Sequence, residues 1–118
     1  DKEFDNGTGS GRGFAVSGGV AQAVADVIAR LDPGRHVDVE YADGLRECRK
    51  MLTLAKAGKR NGYLLEGMAC PGGCVAGAGT ITPVMNAANN VRAYKAQAGK
   101  QNSLDSKFVE RLEEVEER

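Results

Sequence analysis

Neither sign of charge is in excess in this 118-residue chain: sixteen Lys and Arg stand against sixteen Asp and Glu. A balanced chain offers no electrostatic footprint for nucleic acid or for an anionic membrane surface. No apolar run comes near the roughly 20 residues that a membrane span requires. No basic segment followed by an apolar one opens the chain, so no signal peptide is visible. Cysteine is scarce. Three thiols cannot all pair within one chain, and three do not make a secreted disulfide framework. The expected setting is a reducing, cytoplasmic one, where thiols stay free for metal or redox chemistry. An initiator Met is also missing, which makes an excised piece of a larger protein the expectation.

Missing motifs narrow the field further. TGSGRG (8–13) carries glycines, but it has no GK[ST] and no convincing strand before it, so a nucleotide loop is not expected. No Ser/His/Asp set has credible partners, no carboxylate pair stands out for acid–base work, and no internal repeat is visible. By length the chain is one domain or part of one, long enough to bury a core without cross-links.

What is present reads as an α/β unit with short parallel strands and flanking helices. Residues 1–13 are polar and glycine-rich and read as a flexible lead-in. FAV (14–16) could end a strand. Ser17 is placed to cap the helix GGVAQAVADVIARL, whose Val20, Val24, Val27, Ile28 and Leu31 share one stripe. HVDVEY (36–41) alternates as a strand does. Asp43 can cap GLRECRKMLTLAKAG, with Leu45, Cys48, Leu52 and Ala55 on its buried face and Gly58 as its stop. YLLE (63–66) reads as a second strand, and strand–helix–strand order implies a parallel pair. Two closing helices are expected over 84–118. The first starts near Pro83; the second is LDSKFVERLEEVEER, with Leu104, Phe108, Leu112 and Val115 as its stripe and a solvated charged remainder.

MACPGGCVAGAG (68–79) follows the second strand and holds Cys70 and Cys74. The carboxyl ends of strands are where open α/β sheets place ligands. Thiolates suit iron–sulfur clusters and zinc. Glycines let backbone approach a bulky inorganic group and leave N–H groups free to face sulfide or an anion. The competing reading is a flexible glycine loop with incidental thiols. Structural zinc is less favoured, because zinc motifs need a second ligand pair. His36 and Cys48 are the other soft side chains. Cys48 sits on a helix stripe and reads as core, and His36 as a surface or capping residue. Gly18 and Gly19, opening a helix within GFAVSGGVAQAV (13–24), could cradle an anion or could serve close packing.

Together these segments resemble the C-terminal part of the catalytic domain of FeFe-hydrogenases. MACPGGCVAGAG is similar to that family's third cysteine motif, and FAVSGGVAQAV (14–24) to its glycine segment upstream, with the resemblance running over about residues 7 to 115. It implies that Cys70 is a ligand of a 4Fe–4S cubane. It implies that Cys74 is the cysteine bridging to a two-iron centre carrying CO and cyanide, where protons and hydrogen interconvert. Met68 would pack against that centre, and Gly18 and Gly19 would lie close to its diatomic ligands. The remaining cluster ligands and the proton-shuttle cysteine are not in this chain. The resemblance therefore implies a partner in the rest of the catalytic domain, a ferredoxin-like electron carrier for the parent, and an inactive fragment in isolation. Gly77-Ala78-Gly79-Thr80, Gln22 and Ala15 depart from the commoner pattern and point to a divergent branch. Two alternatives accompany the enzyme: a non-catalytic iron–sulfur assembly protein, similar to the nuclear prelamin A recognition factor family, and a hydrogen sensor.

Overall fold

A computed structural model describes residues 7–112. Its centre is a parallel pair, β1 (Val39–Asp43) and β2 (Leu64–Met68), in register from Val39 opposite Leu64 to Asp43 opposite Met68. The crossover between them is α3 (Leu45–Lys56). Successive strand residues point to opposite faces, and β2 shows what each face meets. Glu66 is bonded to the first turn of α2 (Gly19–Leu31). Its neighbour Gly67 lies under α3, where a Cβ would stand 3.3 Å from Cys48 Sγ. One helix on each side of a short parallel sheet is the α/β arrangement that the strand–helix–strand order implied.

Both strands run slightly beyond their expected positions. β1 begins at Val39, not His36, because pairing starts where Leu64 N–H donates to the Asp38 carbonyl (2.8 Å). The alternation in HVDVEY therefore outruns its partner strand. β2 continues through Gly67 and Met68, two residues past YLLE, and delivers the chain directly into the cysteine segment. FAV (14–16) is not strand. It is a series of turns, with Phe14 N–H on the Gly11 carbonyl and Val16 N–H on that of Gly13.

The lead-in is also more ordered than its composition suggests. Thr8 caps a single helical turn, α1 (Gly9–Arg12), by accepting from Gly11 N–H at 3.1 Å. Gly9 and Ser10 donate backbone bonds to the carbonyls of Lys100 and Gln101 (2.7 and 2.8 Å), and Thr8, Gly9 and Ser10 are buried. Arg12 lies over the Tyr94 ring and donates to the Tyr94 carbonyl, tying this turn to α4 (Val84–Ala96). Glycine here permits close backbone approach. Residues 1–6 lie outside the described segment.

The N-cap residues of α2 and α3 are glycines. α2 and α3 start after Gly18 (φ 88°) and Gly44 (φ 84°), with no side-chain cap, so neither Ser17 nor Asp43 plays the role its position suggests. Asp43 is instead the last residue of β1. Gly58 (φ 77°) does end α3, as expected of a left-handed residue past a helix terminus. In α3 Met51 is buried and Cys48, Leu54 and Ala55 are half-buried, whereas Leu45 (74 % exposed) and Leu52 (60 %) face out. In α2 it is Ala21 and Ala23 that are buried, while Val24 and Leu31 are exposed.

The second closing helix does not form over 103–111. Two 3₁₀ turns stand there instead, Ser103–Asp105 and Val109–Arg111. Asn102 and Asp105 make a reciprocal capping box, and Ser106 then turns to ψ 136°, which ends the helical path. Asp105 also pairs with Arg30 at the end of α2 (2.7 Å), and that guanidinium, with the Asn102 N–H, holds its carboxyl below the usual carboxylate range. Val115 and the EEVEER tail lie outside the described residues.

The core is thinner than the chain length allows. Among the described residues its buried apolar side chains are five alanines, Met51 and Val75. Among the described residues, none of the larger side chains is fully buried. Ile81 is 99 % exposed and Met85 69 %.

Candidate metal-binding site

β2 ends at Met68, and the next ten residues fold back across the segment that opens α2. Gly72 (φ 94°) and Gly73 (φ 99°) make that return possible. Ser17 N–H donates to the Gly72 carbonyl (3.1 Å) and Val75 N–H to that of Ala15 (3.1 Å), so the loop is laid on residues 15–17 backbone to backbone. A Cβ on Gly73 would stand 2.6 Å from Ser17 N and 2.7 Å from Ala15 O. Gly73 is therefore fixed by contact as well as by its dihedral angle. Ser17 Oγ meets Met68 Sδ at 3.9 Å. The two motifs singled out in the sequence, 51 residues apart at this contact, form one surface.

Cys70 is half-buried and Cys74 exposed, and both are free thiols. Cys70 lies at the turn closed by Gly73 N–H on its own carbonyl (2.9 Å); Cys74 begins a 3₁₀ turn, Cys74–Ala76, closed by Gly77 N–H on the Cys74 carbonyl (2.9 Å). Cys70 Sγ is 3.9 Å from where a Gly77 Cβ would stand, so the glycine after this turn leaves its sulfur uncovered on that side. Thr80 Oγ1 donates to the Gly77 carbonyl (2.7 Å) and closes the segment.

Cys48 takes no part in the loop. Its thiol lies between the carbonyls of Ala42 (3.5 Å) and Met68 (3.4 Å), under the ends of both strands, as a core thiol does. His36 is exposed and pairs with Asp38 at 3.2 Å. No group of three His, Cys, Asp or Glu side chains that could hold a metal ion occurs among the described residues.

Glu66 is the residue the sequence did not single out. It is 9 % exposed, and its two oxygens accept separately from α2: Oε2 from Gly18 N–H at 2.6 Å and Oε1 from Val20 N–H at 3.1 Å. Gly19 N–H donates to the Val16 carbonyl (3.0 Å). The anion cradle inferred at Gly18 and Gly19 is thus already filled by the chain's own carboxylate. Both glycines also have close-packing reasons. A Cβ on Gly18 would lie 3.2 Å from the Tyr41 ring, and one on Gly19 would overlap the Gly13 carbonyl oxygen. The signal that could have exposed Glu66 is its parity: a carboxylate in the middle of an apolar strand, on the face turned towards a helix start.

A cleft of about 260 Å³ opens beside this helix start, with Ser17, Gly18, Gly19, Tyr41, Arg92 and Lys95 among its walls. The cysteines do not line it. Among the described residues, no helix is long and apolar enough to cross a membrane.

A family model described as the iron only hydrogenase large subunit, C-terminal domain, matches residues 1–78. The chain belongs to that family. The match takes in both halves of the surface just described, residues 15–20 and 66–77, and stops short of α4 and the 3₁₀ turns at 103–111. No curated protein matches the chain. An iron-only hydrogenase domain makes iron–sulfur chemistry the relevant test of the donor set. All-cysteine iron–sulfur clusters take four thiolates. Cys70, half-buried, and Cys74, exposed, are free thiols in a glycine-rich loop, and in number and chemistry they match half of such a set.

Proposed function

We propose that this chain is the ligand-bearing wall of an FeFe-hydrogenase catalytic unit that interconverts hydrogen with protons and electrons. The observation that supports the reading is the docking of the cysteine loop onto residues 15–17, with Met68 Sδ against Ser17 Oγ. In this reading Cys70 and Cys74 would supply two thiolates to a 4Fe–4S cluster, and Cys74 would also be the residue that holds a two-iron centre with CO and cyanide ligands. That centre supplies the redox and hydrogen-activating chemistry when bound. The chain's own part is to hold two sulfurs in a glycine frame and to close one side of the site with the Met68 thioether. Gly18 and Gly19 contribute backbone to the same wall; their N–H groups are engaged within the chain and are not assigned to cyanide.

The remaining cluster ligands and the proton donor come, on this reading, from the rest of the catalytic domain. Exposed apolar side chains support such a partner: Leu45 and Leu52 on α3, and Ile81 and Met85 before and in α4, are each more than half exposed. A ferredoxin-like carrier would deliver electrons to the whole enzyme, and the isolated chain would be inactive. The test is anaerobic hydrogen evolution from reduced methyl viologen by the full-length protein loaded with a mature two-iron centre. Brisk evolution is expected. An intact cubane signal with no evolution would overturn the enzyme reading in favour of an assembly or sensor protein.

A further inference from the structure

We propose that Glu66 is the positioning residue of this site: its carboxylate clamps the first turn of α2 to β2 and thereby sets the cysteine loop against residues 15–20. The proposal rests on the reading of the loop as a ligand-bearing surface, but its physical basis is independent of any bound group.

The clamp is built from both oxygens. Oε2 takes Gly18 N–H and Oε1 takes Val20 N–H, so the carboxylate straddles the helix start. Hydrogen bonds to an ionised acceptor are roughly twice as strong as neutral ones. The positive end of the helix dipole faces the buried carboxylate, and both of its oxygens have N–H partners there. No Lys or Arg is within ion-pair distance of Glu66 among the described residues, so α2 is its counter-charge.

The position of this clamp in the chain gives it a further effect. Two residues beyond Glu66, Met68 Sδ meets Ser17 Oγ; four beyond is Cys70; then Gly72 and Val75 bond to Ser17 and Ala15. Segment 15–20 is therefore gripped twice, at its far end by Glu66 and at its near end by the cysteine loop. The near grip consists of two neutral backbone bonds and a long contact to sulfur. The charged grip is the stronger one. When it is released, α2 can slide against β2 and the loop loses its seat, while the opposite face of the sheet, with Cys48 between the strand ends, keeps its contacts.

The side chain is specific in length and in charge. Aspartate is one methylene too short to reach both N–H groups. Glutamine has the right length but offers one acceptor and turns an NH₂ donor towards the other N–H, which leaves a buried donor unpaired.

The test uses the 118-residue chain, unmodified and as Glu66→Gln, Glu66→Asp and Glu66→Ala. Amide hydrogen exchange at Gly18 and Val20 is read by NMR, and alkylation of Cys70, Cys74 and Cys48 by iodoacetamide is read by mass spectrometry. In Glu66→Gln, exchange at Gly18 and Val20 is expected to rise about tenfold or more, the loss of one charge-assisted bond. Cys70 should alkylate several-fold faster, with Cys48 unchanged. In Glu66→Ala, sodium formate should return the Gly18 and Val20 resonances towards their original positions, and sodium chloride at equal ionic strength should not. Unchanged exchange and unchanged Cys70 reactivity in Glu66→Gln would overturn the proposal. So would a Cys48 rate that rises in step with Cys70 in each variant, since that marks general loosening. If Glu66→Ala fails to fold, Glu66→Gln and Glu66→Asp decide the matter alone. None of these readouts depends on hydrogen turnover, so the clamp and the hydrogenase reading can fail separately.

Discussion

Gly19 cannot carry a side chain without moving the backbone, because a Cβ there would overlap the Gly13 carbonyl oxygen. Gly99 has open space around it and no positive φ. The two glycines therefore separate steric need from local preference. Gly19→Ala is expected to lower stability by about 1–3 kcal/mol, the usual cost of overpacking. Gly99→Ala should be neutral or stabilising by about 0.4–1 kcal/mol, through the unfolded chain. Urea midpoints of the two variants check this; equal effects would mean that the Gly13–Gly19 contact is not present in solution. The same comparison bears on function. The glycine pair at the start of α2 was open to two readings in the sequence, and the packing reading now has named contacts behind it.

In α3 the sequence pattern and the observed burial disagree by a fraction of a turn. Leucines at 45 and 52 suggest the buried face, yet Met51 is the residue covered there, at 4 % exposure. The expected outcome is that Met51→Ala costs about 2–5 kcal/mol, whereas Leu52→Ala stays within about 0.5 kcal/mol. A reversed order in chemical denaturation would restore the leucine face. The order and type of the central elements were legible, because alternation and the Gly58 stop are local signals, although the caps expected at Ser17 and Asp43 are not the ones used. The parallel pairing followed from the spacing of two strands around one helix. The cysteine loop was legible from its glycines, and its docking on residues 15–17 extends what the motifs implied. Three things were not local. The face of α3 depends on what the helix packs against. Order in residues 7–13 depends on carbonyls at 100 and 101. Glu66 depends on a helix start 46 residues away. The 3₁₀ turns at 103–111 were hidden by an apolar stripe that the Asn102–Asp105 box and Ser106 interrupt.

For the molecule as a whole, two thiols in one loop are half of what a cubane takes. The chain alone should hold no stoichiometric four-iron cluster after anaerobic reconstitution, by iron count and EPR. A stable four-iron species with a paired chain mass would instead show two copies sharing one cluster. The two-stranded sheet carries a further consequence. Among the described residues β1 and β2 bond only to each other, so each presents one outer line of N–H and C=O groups with no neighbouring strand. Parallel sheets are ordinarily continuous layers covered on both faces, and helices already cover both faces here. Unpaired strand edges are templates for another strand. Growth can then proceed only sideways, in the plane of the sheet, so that a strand added beside β1 or β2 would prolong the layer without displacing α2, α3 or the cysteine loop.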